Sequence, residues 1–443
     1  MQTRRKTEND SSARASRAAW YTYAFGNTSV QYAIPYYLTP YIVTDLGVPA
    51  LAFGLASAAS SWAIGLSGPF IGVNADEKHR RRHWFIFATL VAAILLAALG
   101  FLPHTGTLAV VGVLFAAMLA NYFFQLSGLV SNASMLRAAG DTNVVSVSSL
   151  GMGLSFIGGV FGIGVIQLFI SGRVISGMNG RGFALAPAAI VFLLFALPSI
   201  FARRLWQNQE EPATSSGATP EGPVYRRMLA LWRESSQEHR AGWFLAGYFA
   251  LNSAVMGLTL YLILHIQAVT SLTGMRLWAV LLGVVLSSAA GAGTVALIRP
   301  SNRLVRRIIL VVLALWALNA FAFSLVTAVP LVVVCSCLHG LFSGALVPAV
   351  RGAFAQMFRP DYQALAFGLF GVVQRVSQGL GAALSPLAGS AAGGQHTTAA
   401  GIAAMGILAL IGIPLFAKWR LSSNETTGLQ PSEASVAAGK DLR

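Results

Sequence analysis

Charge is what this sequence has least of. Only 10% of its 443 residues are Asp, Glu, Lys or Arg, against about 25% in an ordinary soluble domain. Acidic residues are the scarcest. There are 15 against 30 Lys and Arg, all in loops, tails or the ends of apolar runs. That composition excludes a soluble globular enzyme. Cysteine is nearly absent too. Cys335 and Cys337 stand in one apolar run, too close on one helix for an unstrained disulfide, and they read as core residues. No zinc spacing, phosphate-cradling loop, Ser/His/Asp set or ATP-binding motif stands out, so neither cofactor nor metal is expected, and an ATP-driven pump or membrane enzyme has no support. No cleavable signal peptide is visible. The first 17 residues are polar and basic and run directly into an apolar stretch.

What the chain does have is hydrocarbon. It is 55% hydrophobic with a mean hydropathy of +0.65, and apolar runs of 18 or more residues recur along it. This is the pattern of an all-α polytopic membrane protein. Twelve spans are expected near 18–43, 50–73, 84–103, 107–131, 145–171, 183–202, 241–264, 276–297, 305–327, 330–352, 363–390 and 398–417. The net charge of +15 does not point to nucleic acid, because it follows topology. With both ends inside, 26 Lys/Arg fall in inner segments and three, Arg173, Arg181 and Arg276, in outer loops. That bias places both termini in the cytoplasm.

The domain plan follows. Residues 1–17 form an inner tail, 18–202 a six-helix bundle, 203–240 a linker, 241–417 a second bundle and 418–443 a polar tail. In the linker, Gln207 to Pro223 is rich in Pro, Glu, Ser and Gly. Beyond it Tyr225, Met228, Leu229 and Trp232 share a helical face, as in an amphipathic surface helix. Glycines crowd span 5 (Gly151, Gly153, Gly158, Gly159, Gly162, Gly164) and its counterpart span 11 (Gly368, Gly371, Gly379, Gly381), which suits close helix contacts.

The densest charge cluster is Gly72 to Arg82, G-V-N-A-D-E-K-H-R-R-R, between spans 2 and 3. The spacing of Gly72, Asp76, Arg80 and Arg81 resembles the G-x-x-x-D-x-x-G-R-R loop of the major facilitator superfamily. His79 stands where the pattern has its second glycine, and Glu77 where it has a basic residue. Three further stretches, Trp20 to Ser29, Ser149 to Gly159 and Arg351 to Arg375, look like the branch that holds the autophagy-related vacuolar effluxers. The resemblance implies a twelve-helix fold in two halves and secondary transport by alternating access, with amino-acid efflux in the vacuolar members. It also implies a gating role for Gly72, Asp76, Arg80 and Arg81. Two acidic positions of the branch are Ala24 and Leu365 here, which puts proton coupling by those groups in doubt.

Arg375 lies about a dozen residues into span 11. A charge there costs roughly 2.5–3.5 kcal/mol on insertion scales and is retained with a partner, a wet cavity or an anionic ligand. A structural hydrogen-bond hub is the competing explanation. The resemblance puts helices 1, 4, 7 and 10 around a cavity. Candidate substrate contacts are therefore Arg375 and Gln374 with Tyr23, Asn27, Gln31, Asn121, Gln125, Asn132, Asn252 and His339. Several of them also suit plain interhelical bonding. For His339 and His265 a packing role is favoured over proton transfer. The reading is a non-enzymatic, monomeric transporter of the bacterial cytoplasmic membrane. Its partners are the lipid bilayer and a small polar solute, anionic or zwitterionic and amino-acid-like, with no nucleic acid. A hydrophobic-drug exporter of the same fold and a non-transporting membrane sensor are the alternatives.

Overall fold

Apolar runs of about 20 residues satisfy their backbone in lipid only as helices, and the chain does this throughout. The computed structural model describes residues 2–77, 80–102, 105–139, 144–172, 174, 180–206, 226, 233, 241–298, 302–355, 357, 363–393 and 397–419. The long helices are α1 (Gln2–Ala33), α2 (Ala50–Glu77), α3 (Arg81–Ala98), α4 (Thr107–Ala133), α5 (Val144–Ile170), α6 (Leu185–Phe201), α7 (Ala241–Thr270), α8 (Gly274–Ile298), α9 (Asn302–Leu325), α10 (Val329–Ala355), α11 (Gln363–Ala392) and α12 (Thr397–Lys418). Among the described residues, ten helices are long and apolar enough to cross a membrane. The other two, α1 and α11, carry Asn27 and Gln31 and Gln374, Arg375 and Gln378. Large apolar side chains such as Phe70, Ile94, Leu108, Phe115 and Leu318 are exposed around the bundle, a surface suited to hydrocarbon rather than water.

The helices form two six-helix halves built alike. In the first, α1 packs on α5 and α6, α2 on α4, and α3 on α4 and α6. In the second, α7 packs on α11 and α12, α8 on α10, and α9 on α10 and α12. Adding six to each partner converts one set into the other, although the sequence shows the repeat only weakly. Glycine explains one equivalence. A Cβ on Gly158 would lie 2.1 Å from the Phe25 carbonyl oxygen, and one on Gly381 would lie 2.1 Å from that of Ser253. Only glycine lets α5 approach α1, and α11 approach α7, that closely.

Helix α1 begins at Gln2, so the expected tail at 1–17 continues the first helix. It passes into π-helical turns at Ile34–Leu38 and Tyr41–Asp45. Pro35 and Pro40 lie in this stretch and lack the N–H that a regular ladder needs. The Thr39 hydroxyl donates to the Ile34 carbonyl at 3.1 Å. Both cysteines are free thiols. The expected amphipathic helix and the polar tail beyond 419 lie outside the described residues, apart from Arg226 and Arg233.

The halves meet along α2 and α11, more lightly along α5 and α8, and where Ile34–Leu38 touches α7. Among the described residues, two side chains hydrogen-bond from one half to the other. Trp62 Nε1 donates to the Val376 carbonyl at 3.0 Å, and Tyr261 Oη reaches the Ala50 carbonyl at 3.3 Å. The second lies at the end of the bundle that carries the α1–α2 connection, where it joins the two halves.

Candidate functional site

The faces of α1 show which side chains reach the space between the halves. Phe25, Thr28, Ser29 and Tyr32 turn to α5, where Gly158, Gly159 and Gly162 leave room, and Gly26 meets Phe195 of α6. Tyr23 is buried, with its Oη 2.9 Å from Ser127 Oγ on α4 and its ring on Phe85 and Phe192. The face left over at helical spacing is Ala24, Asn27 and Gln31. Asn27 is half-buried and accepts from Tyr23 Oη through Oδ1 at 3.2 Å, and Gln31 is exposed. Tyr23 therefore positions Asn27.

Several other candidates are committed to holding helices together. Asn121 Nδ2 donates to Ser60 Oγ at 3.1 Å and Gln125 Nε2 to Ser61 Oγ at 3.4 Å, fastening α4 to α2. Asn252 is buried, and its Nδ2 donates to the Gln374 carbonyl at 2.9 Å and to Ser377 Oγ at 2.7 Å, fastening α7 to α11. Gln374 takes part through its backbone. Asn132 is exposed in the last turn of α4, and the structure does not bring it to the others. The structure thus separates Asn27, Gln31 and Arg375 from the interhelical set.

The two histidines differ. His265 is fully buried, with Nδ1 3.0 Å from Thr398 Oγ1 and Nε2 3.0 Å from the Phe323 carbonyl. His339 is buried beside Trp316, and its Nε2 lies 3.1 Å from Thr259 Oγ1. The Thr259 hydroxyl already donates to the Val255 carbonyl at 2.7 Å. It therefore accepts from His339 Nε2–H, and Nδ1 is left buried without a partner.

Arg375 sits on α11 beside α2. A Cβ on Gly65 would be 3.4 Å from Arg375 Cβ. Its Nη1 donates to the Gly371 carbonyl at 3.1 Å, one turn back, while Nε is buried with no acceptor. No carboxylate among the described residues pairs with it. Helix α10 runs on to Ala355, so Arg351 lies in its last turns, near the helix end. Tyr248 of α7 is buried. Its ring stacks on Phe370 at 4.1 Å and 15°.

In the charged stretch, α2 continues to Glu77 and includes Gly72, while the Asp76 side chain lies outside what the structure describes. Arg80 is exposed at the start of α3, and Arg81 is partnered. Arg82, not singled out from the sequence, donates through Nε to the Ile200 carbonyl at the end of α6, at 3.0 Å. Trp62 and Tyr261 were also missed. Aromatic residues inside apolar runs look like packing, and only tertiary contacts set these two apart.

A profile of the Major Facilitator Superfamily matches residues 20–313 and 299–442. No curated protein matches the sequence. Similar solved structures include the nucleoside transporter NupG, 14% identical, covering 91% of this chain and 100% of that one with a TM-score of 0.66. The structure of tetrameric PepTSo2 is 13% identical, covering 92% of this chain and 98% of that one with a TM-score of 0.64. A bacterial homologue of the human lysosomal transporter Spinster, inward-facing and unoccupied, is 14% identical, covering 92% and 96% with a TM-score of 0.61. Identities this low show a shared fold.

Proposed function

Because the chain belongs to the major facilitator superfamily, it is a membrane transporter rather than an enzyme, and we propose that it carries a small polar solute, anionic or zwitterionic, by alternating access. The observation that carries this reading is Arg375. Its guanidinium lies deep in a membrane bundle with Nε buried and unpartnered and Nη1 held by a single carbonyl. Such a cation costs about 2.5–3.5 kcal/mol to insert, and its planar fork suits a carboxylate or phosphate. Asn27 and Gln31 supply neutral polar groups from the opposite half.

The location of Arg375 links binding to movement. Its Cβ borders the α2–α11 seam at Gly65, so an anion on the guanidinium sits where the halves must part. With both termini in the cytoplasm of a bacterium, as the Lys/Arg distribution implies, the end closed by Tyr261 is the outer one, and the site faces inward. The working unit is a monomer in the inner membrane, with Gly72, Asp76, Arg80 and Arg81 acting on the switch between states.

A thermal-shift screen of the purified protein against metabolites identifies the solute, and uptake into proteoliposomes then tests the site. Arg375→Ala is expected to abolish transport while the protein still inserts and folds. Arg375→Lys should retain part of it, keeping charge without the fork. Normal transport by the alanine variant would make Arg375 structural and remove the main support for an anionic group.

A further inference from the structure

The start of α7, the start of α9 and the end of α12 meet at one corner of the second half, and cations collect there. Arg306, in the second turn of α9, donates through Nη2 to the Ala417 carbonyl at the end of α12. Lys418, the next residue, holds its ammonium 4.2 Å from the centre of the Trp243 ring in the first turn of α7. Trp419 follows and packs on Phe244 of α7 at 4.8 Å. Direct contacts thus tie the three helix ends together. Arg307 stands beside Arg306 in the chain and is exposed, as is Lys418. Among the described residues no carboxylate pairs with any of these three cations. Two buried donors of the same corner, Arg306 Nε and Trp419 Nε1, have no acceptor. Beyond the corner the surface is hydrocarbon. On α9 the exposed Val311, Leu315 and Leu318 continue from Arg307 at helical spacing, and on α12 Ile407, Leu410 and Ile411 lead to Lys418. From Arg307 to Leu318, and from Lys418 back to Ile407, is about 16 Å along the helix. That is about half of the hydrocarbon thickness of a bilayer. The cations therefore stand one leaflet's depth from the middle of the apolar surface, and the exposed Trp243 stands with them, as tryptophans do at a membrane edge. Topology asks for cations at this end of the bundle. It does not ask them to converge from two helices onto a third, or to leave Arg306 Nε bare.

We propose that this corner binds an anionic phospholipid, its headgroup phosphate held by Lys418, Arg306 and Arg307 and its acyl chains lying along the apolar stripes of α9 and α12. Each cation has a part. Lys418 and Arg307 offer exposed charge to the phosphate. The Trp243 ring positions the Lys418 ammonium through its face and leaves the N–H groups of that ammonium for oxygen acceptors. The Arg306 guanidinium is anchored at Ala417 through Nη2, and a phosphate oxygen supplies the acceptor that its Nε–H lacks. The hydrocarbon beside the cations selects a lipid over a soluble phosphate, which would leave both stripes unused. Basic pockets between membrane helices suit such headgroups generally. The site involves neither Arg375 nor the seam between the halves, so its lipid is independent of the solute carried.

The test uses the full chain in detergent micelles at constant ionic strength, with thermal stability followed as phosphatidylglycerol, phosphatidylcholine or glycerol phosphate is added. Phosphatidylglycerol is expected to stabilise saturably. Phosphatidylcholine, whose choline offsets the phosphate charge, should need a severalfold higher concentration, and glycerol phosphate should have no effect over the same range. Arg307→Gln with Lys418→Gln should raise the half-saturating concentration of phosphatidylglycerol roughly tenfold or more, since one cation near a headgroup is worth about fivefold in affinity. Both side chains are exposed, so their loss spares the packing. Arg307→Lys with Lys418→Arg should bind as the parent does. Arg14→Gln with Arg203→Gln removes the same charge from exposed positions in the first half and should leave half-saturation unchanged. Equal weakening by the two glutamine pairs would show diffuse attraction to a basic surface and overturn the inference. Equal stabilisation by glycerol phosphate would give the corner to a soluble ligand, and the absence of any saturable response to phosphatidylglycerol would leave it without a lipid; either result overturns the inference as well.

Discussion

Tyr261 Oη donates to the carbonyl oxygen of Ala382 at 3.0 Å, and that carbonyl is free because residue 386 is proline. Four residues on, an ordinary amino acid would return an N–H to it; Pro386 cannot. The same hydroxyl is 3.3 Å from the Ala50 carbonyl. The single hydroxyl proton is shared between the two carbonyls, so this side chain bridges α7 and α11 of its own half to α2 across the seam.

Tyr261→Phe should loosen this end without harming the fold. One hydrogen bond is worth about 1 kcal/mol, roughly a fivefold change in the ratio of closed to open states. Spin labels on Thr44→Cys and Ala268→Cys, in a background lacking Cys335 and Cys337, report the opening. The phenylalanine variant should show a larger long-distance population. An unchanged distribution means the hydroxyl is not part of the closure.

Gly54 tests the same closure by bulk. A Cβ there would lie 2.4 Å from the Ala382 carbonyl oxygen and 2.7 Å from Pro386 Cγ. Both atoms belong to the other half, so the substitution obstructs docking rather than folding. Gly54→Val should cut transport at least tenfold and leave the melting temperature in detergent within a few degrees. Full turnover by this variant would show that the seam need not close during the cycle.

These two residues mark where the sequence was readable and where it was not. The apolar runs predicted twelve helices, and the Lys/Arg pattern grouped their connections, because lipid imposes length and polarity on every span alike. Arg375 stood out because a lone charge among Leu, Val and Gly has an immediate energetic consequence. Asn121, Gln125 and Asn252 were ambiguous, because an amide on a membrane helix serves a solute or a neighbouring helix equally well, and only the positions of Ser60, Ser61 and Ser377 decide. Tyr261 was invisible, since its role depends on carbonyls far away in sequence. Gly54 looked like any small residue in a span until Ala382 was placed against it.

At the same end, Asp45 lies 3.2 Å from Arg181, both partly exposed. Burial raises the Asp45 carboxyl above its ordinary value, and Arg181 pulls it only part of the way back. A raised folded-state value means the folded protein holds this proton more tightly than the unfolded chain. Its stabilising contribution is complete below the unfolded value and is lost as pH rises through the folded one. The pair therefore adds nothing to stability at pH 7. Asp45→Asn should melt at the same temperature as the parent or slightly higher at pH 7, and the two should converge as the pH falls to about 4 and below. A variant several degrees less stable at pH 7 would show that the attraction of Arg181 outweighs the burial.

Coupling is the last question the geometry bears on. No acidic residue falls within an apolar run of the sequence, so a proton carrier inside the bundle would have to be a histidine. His265 is poorly suited. Its Nε2–H donates to the Phe323 carbonyl and its Nδ1 accepts from Thr398, so both ring nitrogens are engaged and the tautomer is fixed. Charging it would break that arrangement in a fully buried site. His339 differs in one respect, the bare Nδ1 lone pair. Transport should therefore be weakly proton-coupled or uncoupled, and any pH dependence between 5 and 8 that a histidine does carry should disappear in His339→Gln. His265→Gln should leave the pH profile in place and lower the melting temperature, because it leaves the Phe323 carbonyl unpartnered. The measurement is solute-induced current across proteoliposomes as a function of pH. A strong inward proton current that persists with both histidines replaced would place the carrier elsewhere and refute the assignment.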